Sequence, residues 1–159
     1  MKKNICVIMM LIVFVFMTGC SAKDIQAIYD DNQRISSTSN TYNLINSNSE
    51  IKGQQITGEF EKMEGMDTVW TYQAEEDMEL EMTYLLNITK GKMKFVLISP
   101  DDSITNIVEM TKDSPVKDYA VSNLKIKKGK NRIKLVGGVD TSSSFEIKIP
   151  EGDFEELGQ

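Results

Sequence analysis

The chain has 159 residues, with 24 acidic against 18 basic side chains, a net charge of −6 and no histidine. An acidic chain disfavours contact with nucleic-acid phosphates, because cationic side chains supply most of that affinity. Without histidine the chain lacks the usual general base near neutral pH, the Ser-His-Asp triad and His-containing zinc sites. No nucleophile elbow or phosphate-binding loop occurs either. The sequence therefore predicts a protein that is not an enzyme and holds no cofactor.

The N-terminus has the three parts of a secretory signal peptide. Lys2 and Lys3 give it a positive start, residues 5–17 are all apolar, and the small Gly19 precedes Cys20. The apolar run is too short to cross a bilayer as a helix, which needs roughly twenty residues. We therefore expect residues 1–19 to be a signal peptide that is removed on export.

The end of this signal, Met17, Thr18, Gly19 and Cys20, resembles the lipobox of bacterial lipoproteins. The resemblance implies a diacylglyceryl group on the sulfur of Cys20, which anchors the exported protein to the outer face of the cell membrane. Cys6 leaves with the signal, so Cys20 is the only cysteine of the mature chain and no internal disulfide forms. The membrane itself is thus the first expected partner, held through two acyl chains.

Residues 20–50 are predicted to tether a domain to the lipidated cysteine. Residues 36–49 are almost all Ser, Thr or Asn and carry no charge, and such a segment buries too little apolar surface to offset its ordering entropy. Thirty flexible residues reach roughly 30 Å. Ile25, Ile28 and Ile35 fall at helical spacing, so residues 24–35 are expected to form a short amphipathic helix, either transient or docked on the domain.

From residue 51 onward the side chains alternate between apolar and polar, which is typical of half-buried strands. Met78, Leu80 and Met82, for example, alternate with Glu79 and Glu81. Strands are predicted near residues 55–62, 67–74, 77–88, 91–99, 103–110, 118–128, 130–137 and 142–149. This spacing predicts one all-β domain over residues 51–150, a single antiparallel β-sandwich of about eight strands. The acidic tail, residues 151–159, is expected to fray or to pack only its two large apolar side chains.

Two segments resemble known β-sandwich domains. Residues 123–137, an apolar strand followed by a turn and an alternating strand, resemble the late strand pair of galactose-binding-like jelly rolls. Residues 92–101 resemble the central strand and turn of small lipoproteins from Gram-positive bacteria with this sandwich. The resemblance implies a jelly-roll fold and, since many such domains bind carbohydrate, a sugar ligand. A structural calcium ion is implied by the family only, and the residues themselves assign no metal site.

Three aromatic residues are candidates for a ligand-binding surface. Trp70 and Tyr72 share one face of a predicted strand, so together they would form a platform on which a sugar ring stacks. The alternative is that Trp70 fills the core, since aromatic side chains dominate core energetics. Tyr119 follows the loop that contains Pro115 and is expected at the rim of the domain.

Six cations lie on the two strands predicted over residues 118–137. They are Lys125, Lys127, Lys128, Lys130, Arg132 and Lys134. If alternate side chains point outward, they give this hairpin a basic outer face. Such lysines protect sheet edges from unwanted pairing, and the alternative is contact with an anionic wall polymer or an acidic partner surface.

The sequence leaves three functions open. The favoured one is a non-enzymatic binding or adhesion module at the cell surface, with carbohydrate or wall polymer as ligand. The second is a structural envelope component that binds another protein through a sheet edge or face. The third is an atypical hydrolase that uses a pair of carboxylates, for which no residue pair stands out.

Overall fold

A computed structural model describes residues 22–114 and 118–159. The predicted signal peptide, Cys20 and Pro115 lie outside these described residues. The helices are α1 (Ala22–Gln26), a 3₁₀ helix (Ala27–Asp30) and α2 (Asn32–Ser36). The strands are β1 (Thr41–Ile51), β2 (Gln55–Ala74), β3 (Met78–Lys90), β4 (Lys92–Ile98), β5 (Ile104–Thr111), β6 (Ala120–Ile126), β7 (Gly129–Lys148) and β8 (Asp153–Phe154). Within the described ranges, no helix is long and apolar enough to cross a membrane.

The eight strands form two antiparallel layers that share their two longest members. β2 and β7 pair over nearly their whole lengths, from Gln55 opposite Lys148 to Ala74 opposite Gly129. In the first layer the order is β1, β2, β7, β3 and β6. In the second layer β4 pairs with the N-terminal half of β7, β5 pairs with β4, and β8 pairs with β2. The predicted antiparallel β-sandwich is confirmed.

The bends in β2 and β7 explain why four strands were predicted where the structure has two. Residues 55–62 and 67–74 belong to one continuous strand, as do 130–137 and 142–149. The β2–β7 register is irregular between Phe60 and Gly65. Gly65 has a φ of +98°, and a Cβ there would meet the carbonyl oxygen of Thr41. At Gly65 the strand therefore bends and does not reverse.

A buried carboxylate fastens this bend. Glu64 accepts hydrogen bonds from the backbone N–H of Asp140 at 3.2 Å and from the amide of Asn43 at 3.5 Å. The Lys62 ammonium lies 3.3 Å away. Burial raises the pKa of Glu64, but these donors outweigh it and hold the pKa below the usual value. The negative charge of Glu64 is therefore stabilised by groups on β1, β2 and β7.

The two layers enclose an apolar core that follows the period of two predicted for β3. Leu80, Met82 and Leu86 are all buried, and they pack with side chains from both layers in one cluster. Phe95 of the second layer and Phe145 of the first meet edge to face, with ring centroids 5.6 Å apart. Such a pair contributes about 0.5–1.5 kcal/mol beyond its buried area.

The N-terminal segment, residues 22–40, docks on the outer face of the second layer. Ile28, Tyr29 and Ile35 are buried there against apolar side chains of β2, β4 and β7. The Tyr29 hydroxyl donates to Glu109 at 2.8 Å, while the ammonium of Lys92 lies 3.9 Å from the centre of its ring. Of the two alternatives for the predicted helix, this matches the docked one, with three short helical elements in place of a single helix.

Two buried cations of β7 hold the end of this segment. Arg132 Nη2 donates to the carbonyl of Ser36 at 2.8 Å. Lys134 Nζ donates to the carbonyls of Ser37 at 2.8 Å and Ser39 at 2.6 Å. Burial lowers the pKa of Lys134 to about 8, with the nearby Arg132 charge acting in the same direction. The expected basic outer face does not include these two residues, because the backbone of the N-terminal segment covers them and because the N-terminal half of β7 lies in the second layer whereas β6 lies in the first.

The Ser- and Asn-rich stretch is a strand where a flexible tether was expected. β1 pairs with β2 from Thr41 opposite Met66 to Ile51 opposite Ile56. Tyr42 and Leu44 pack against the core, while Asn46 and its neighbours stay exposed. Backbone hydrogen bonds to an existing strand offset the ordering entropy that the apolar side chains alone do not.

The acidic tail is bonded to the domain and does not simply fray. Trp70 Nε1 donates to the carbonyl of Glu151 at 2.8 Å, and the N–H of Gly158 donates to Asp67 Oδ2 at 2.8 Å. Asp67 is fully buried, and its Oδ1 has no hydrogen-bond partner. Burial raises the pKa of Asp67 to about 6, and Glu155 adds to this effect.

Lys134→Met tests the clamp on the N-terminal segment. The variant keeps an apolar stem but loses the donor to two carbonyls, and leaving a buried polar group without its partner costs about 1–3 kcal/mol. We expect the free energy of unfolding to fall by about that amount in chemical denaturation, and amide exchange over residues 37–40 to accelerate. Lys130→Met, at an exposed position of the same strand, is the control and should change stability by less than about 0.5 kcal/mol. An unchanged denaturation midpoint for Lys134→Met contradicts the clamp.

Asp67→Asn tests the cost of the buried carboxylate. An acid whose pKa is raised in the folded state destabilises above that pKa, so this group's penalty is present at pH 8, shrinks through pH 6 and is gone near pH 4. Since the amide oxygen can still accept from Gly158, we expect the variant to be more stable than wild type at pH 8, by up to about 3 kcal/mol. The difference should close towards pH 4. Asp153→Asn, on the exposed side of the tail, should show no such convergence, and parallel curves for wild type and Asp67→Asn refute the assignment.

Candidate functional site

The outer face of the first layer carries a continuous field of polar side chains, the polar face. It is built from alternate residues of β1, β2, β7 and β3 that point away from the core. Its members are Asn46, Asn48, Glu50, Thr57, Glu59, Glu61, Leu85, Asn87, Thr89, Ser142, Ser144 and Glu146. Leu85 is the one apolar member.

Strand register sets these side chains in rows across the sheet. One row runs from Asn48 to Glu59, Ser144 and Asn87. The next runs from Glu50 to Thr57, Glu146 and Leu85. The first row therefore presents two amides, a carboxylate and a hydroxyl side by side, and the second presents two carboxylates and a hydroxyl beside Leu85. Neighbouring strands space these groups about 4.8 Å apart.

Hydrogen bonds between neighbouring strands hold several of these groups in place. Asn46 Nδ2 donates to Glu61 at 2.7 Å across β1 and β2. Thr89 Oγ1 and Ser142 Oγ lie 2.9 Å apart across β3 and β7. These contacts fix side chains that would otherwise lose rotamer entropy on meeting a ligand.

The polar face contains three shallow depressions that share lining residues. Their volumes are about 260, 300 and 200 Å³, and Ser144 lines all three. Together they form one elongated depression over β1, β2, β7 and β3. Such a site can bind an extended hydroxyl-rich ligand by hydrogen bonds.

Tyr119 lies at the end of this polar face that borders β6. Its side chain is 57% exposed, and its hydroxyl donates to Glu146 Oε1 at 2.8 Å. That hydrogen bond raises the pKa of Tyr119. The next residue, Ala120, pairs with Tyr84 of β3. Among the three predicted aromatic candidates, Tyr119 is therefore the one that the structure places beside the polar face.

Trp70 and Tyr72 lie elsewhere, between the layers. Trp70 is fully buried, with its indole N–H bonded to Glu151 and Gly152 packed so closely that a Cβ there would meet the ring. Tyr72 is half-buried, and its ring lies 5.8 Å from that of Trp70. Of the two alternatives for Trp70, this burial matches the core position and not the sugar platform, because neither face of the ring is open to a ligand. Cys20, the predicted lipid attachment site, lies outside the described residues.

The residues of the polar face escaped sequence reasoning, which found only Tyr119 beside it. β1 was expected to be a tether, so its asparagines were not placed beside β2. On β3 the odd-numbered positions around Asn87 were assigned to the solvent side, but sequence alone did not show which strands would extend that side. Over residues 22–114 and 118–159, no group of three or more acidic or cysteine side chains is arranged to hold a metal ion.

A second depression separates the free edges of the two layers. It measures about 410 Å³ and lies between β5 and β6. Leu97, Ile107 and Leu124 contribute apolar surface, while Asn106 and Asn123 contribute amides. Among the strands that the structure describes, β5 pairs only with β4, and β6 only with β3, so both strands leave backbone groups open along this cleft.

No known protein family and no curated protein matches this sequence. Solved structures of family 29 carbohydrate-binding modules are similar in fold. A variant in complex with mannohexaose matches with a TM-score of 0.39 and 10% identity, covering 71% of this chain and 94% of that one. A variant in complex with cellulohexaose gives 0.35 and 9%, covering 72% and 94%. A further module of this family gives 0.36 and 10%, covering 71% and 90%. At these TM-scores the similarity transfers no ligand and no site to this chain.

The burial of Trp70 is testable by fluorescence, because it is the only tryptophan of the chain. We expect blue-shifted emission and weak quenching by iodide or acrylamide, since the ring has no exposed area. Addition of soluble glycans should leave the emission unchanged. Unfolding the protein in guanidinium is the control and should restore red-shifted, quenchable emission. A native spectrum that is already red-shifted and quenchable contradicts the core position.

Proposed function

We propose that this protein is a non-enzymatic glycan-binding module, exported and held at the cell surface by lipid on Cys20. The observation that carries the ligand-binding half of this proposal is the polar face, with its rows of hydroxyl, amide and carboxylate groups. The hydroxyls of a sugar ring both donate and accept hydrogen bonds, and amides and hydroxyls on the protein can likewise do both. Exposed Tyr119 adds an aromatic surface at one end, where a ring can stack.

The charge on the polar face favours one class of glycan. Glu50, Glu59, Glu61 and Glu146 all lie on it. Lys52 pairs with Glu50 at 2.8 Å, so carboxylates still outnumber cations there. Like charges repel, so an anionic wall polymer is disfavoured by several kcal/mol where carboxylates would face its phosphates. Uncharged or amino-bearing polysaccharides suit this surface better. The depressions are shallow, which is expected of a site that binds along a chain of sugars.

The second candidate function rests on the cleft between β5 and β6. Its open edges and apolar surface suit an extended segment of another protein, which would add a strand to either layer. Exposed Lys125 and Lys127 at this end of β6 act against indiscriminate pairing. The chain would then be a structural envelope component that recognises one particular partner.

Binding to immobilised polysaccharides tests the glycan proposal. We expect the purified protein to bind neutral or amino-bearing glycans and not anionic wall polymer. Tyr119→Ala and Asn87→Ala should each weaken binding severalfold, because each removes one contact of the polar face, which is worth about 0.5–1.5 kcal/mol. Affinity electrophoresis or calorimetry reads out the loss.

Two control variants separate the polar face from the rest of the surface. Val139→Ala alters a side chain that is 54% exposed at the bend, and Asn106→Ala alters an exposed residue of β5. Both should bind like wild type. If Asn106→Ala loses binding while Tyr119→Ala does not, the glycan occupies the cleft and not the polar face. If no glycan binds at all, the protein-binding candidate takes its place.

A further inference from the structure

The docked N-terminal segment leaves almost no free chain between the predicted anchor and the domain. Ser21 alone separates Cys20 from Ala22, the first residue of α1. A residue spans at most about 3.6 Å when extended and 1.5 Å in a helix. The Cα atoms of Cys20 and Ile25 are therefore at most about 12 Å apart. A flexible tether of thirty residues would instead reach roughly 30 Å.

The helical segment is attached to the domain at several points along its length. Ile25 packs against the apolar cluster of the second layer, and its Cγ2 lies 3.0 Å from where a Cβ on Gly65 would be. Arg34 Nη1 donates to the carbonyl of Asp24 at 2.7 Å, which joins α2 to α1. From Ser36 onward, Arg132 and Lys134 hold the backbone. The anchor therefore connects directly to a fixed surface.

We infer that lipid on Cys20 holds the domain flat on the membrane, with the N-terminal segment against the lipid headgroups and the polar face pointing away. This inference rests on the lipid anchor of the proposed function. The segment covers the outer face of the second layer, whereas the polar face is the outer face of the first. Sheets pack about 10 Å apart and a helix is about 10 Å across. The polar face thus stands on the order of 20 Å from the headgroups, on the far side of the core.

The anchor, and not charge, sets this orientation. The exposed residues that the structure describes in the N-terminal segment include Asp30, Asn32 and Gln33, and the nearby ammonium groups of Lys92 and Lys94 lie over the ring of Tyr29, so the proposed orientation does not rest on attraction to anionic headgroups. Binding to vesicles should therefore depend on the acyl chains and change little with salt. The short chain between Cys20 and Ala22 then leaves the domain little freedom to rotate.

A quenching experiment on the full lipidated chain tests the orientation. Asn32→Cys places a fluorophore on the N-terminal segment, and Asn87→Cys places the same fluorophore on the polar face; both positions are exposed, and the native cysteine is blocked by lipid. Each protein is reconstituted into phosphatidylglycerol–phosphatidylcholine vesicles that carry a nitroxide on a headgroup. We expect the fluorophore at position 32 to be quenched severalfold more than the one at position 87.

The outcomes separate the orientation from the anchor on which it rests. Equal quenching of two proteins that both float with the vesicles overturns the orientation and leaves the anchor standing. Failure of both to float, as expected of Cys20→Ala, overturns the anchor and the orientation together. A flexible Gly-Ser insert of twenty residues between Ser21 and Ala22 is the matched control and should abolish the difference between the labels. Gln33→Cys replaces Asn32→Cys if that variant does not fold, and the same difference is required of it.

Discussion

The contact between two buried cations and a stretch of serine backbone determines where residues 22–51 lie. Arg132 and Lys134 donate to the carbonyls of Ser36, Ser37 and Ser39. A buried ammonium is costly unless its donors are satisfied, so Lys134 needs these carbonyls as much as they need it. The ammonium and the serine carbonyls therefore hold each other in place. With this segment in place, β1 starts at the edge of β2 and the helices cover the second layer.

The long β2–β7 ladder connects the surface that holds the N-terminal segment to the polar face on the opposite side of the domain. Each strand runs through both layers, bending where Glu64 meets the backbone of Asp140. The same two strands thus carry, on one side of the bend, the cations that hold the N-terminal segment and, on the other side, the hydroxyls and carboxylates of the polar face. The two surfaces are built on one continuous pair of strands and keep a fixed relation to each other.

Period-two patterning was enough to predict the fold class, most strands and the buried face of β3, because burial of one sheet face leaves a direct signature in sequence. It failed where the stabilising groups are backbone atoms. β1 has few apolar side chains and is held by its ladder to β2, so composition predicted a tether. Lys134 was placed on the surface because its partners are carbonyls distant in sequence, which no side-chain pattern reveals. For the candidate site, Tyr119 was found by its aromatic character. The amides and hydroxyls beside it could not be found without knowing how the strands pair, because the register aligns them on one face.

A shallow site gains most from being presented in one orientation on a surface. Each hydrogen bond of a side chain such as Asn87 to a sugar hydroxyl adds only about 1 kcal/mol net, so a single copy would bind a glycan weakly. In the arrangement that we propose, copies that are confined to a membrane and face the same way would bind a long polysaccharide together, because the second contact is intramolecular and benefits from a high effective concentration. A flexible tether would dilute that advantage. An N-terminal segment that is fixed to the domain therefore suits a weak interaction made by many copies at once. The serine-rich stretch would contribute to this by holding the segment in place through its carbonyls, which its composition alone does not indicate.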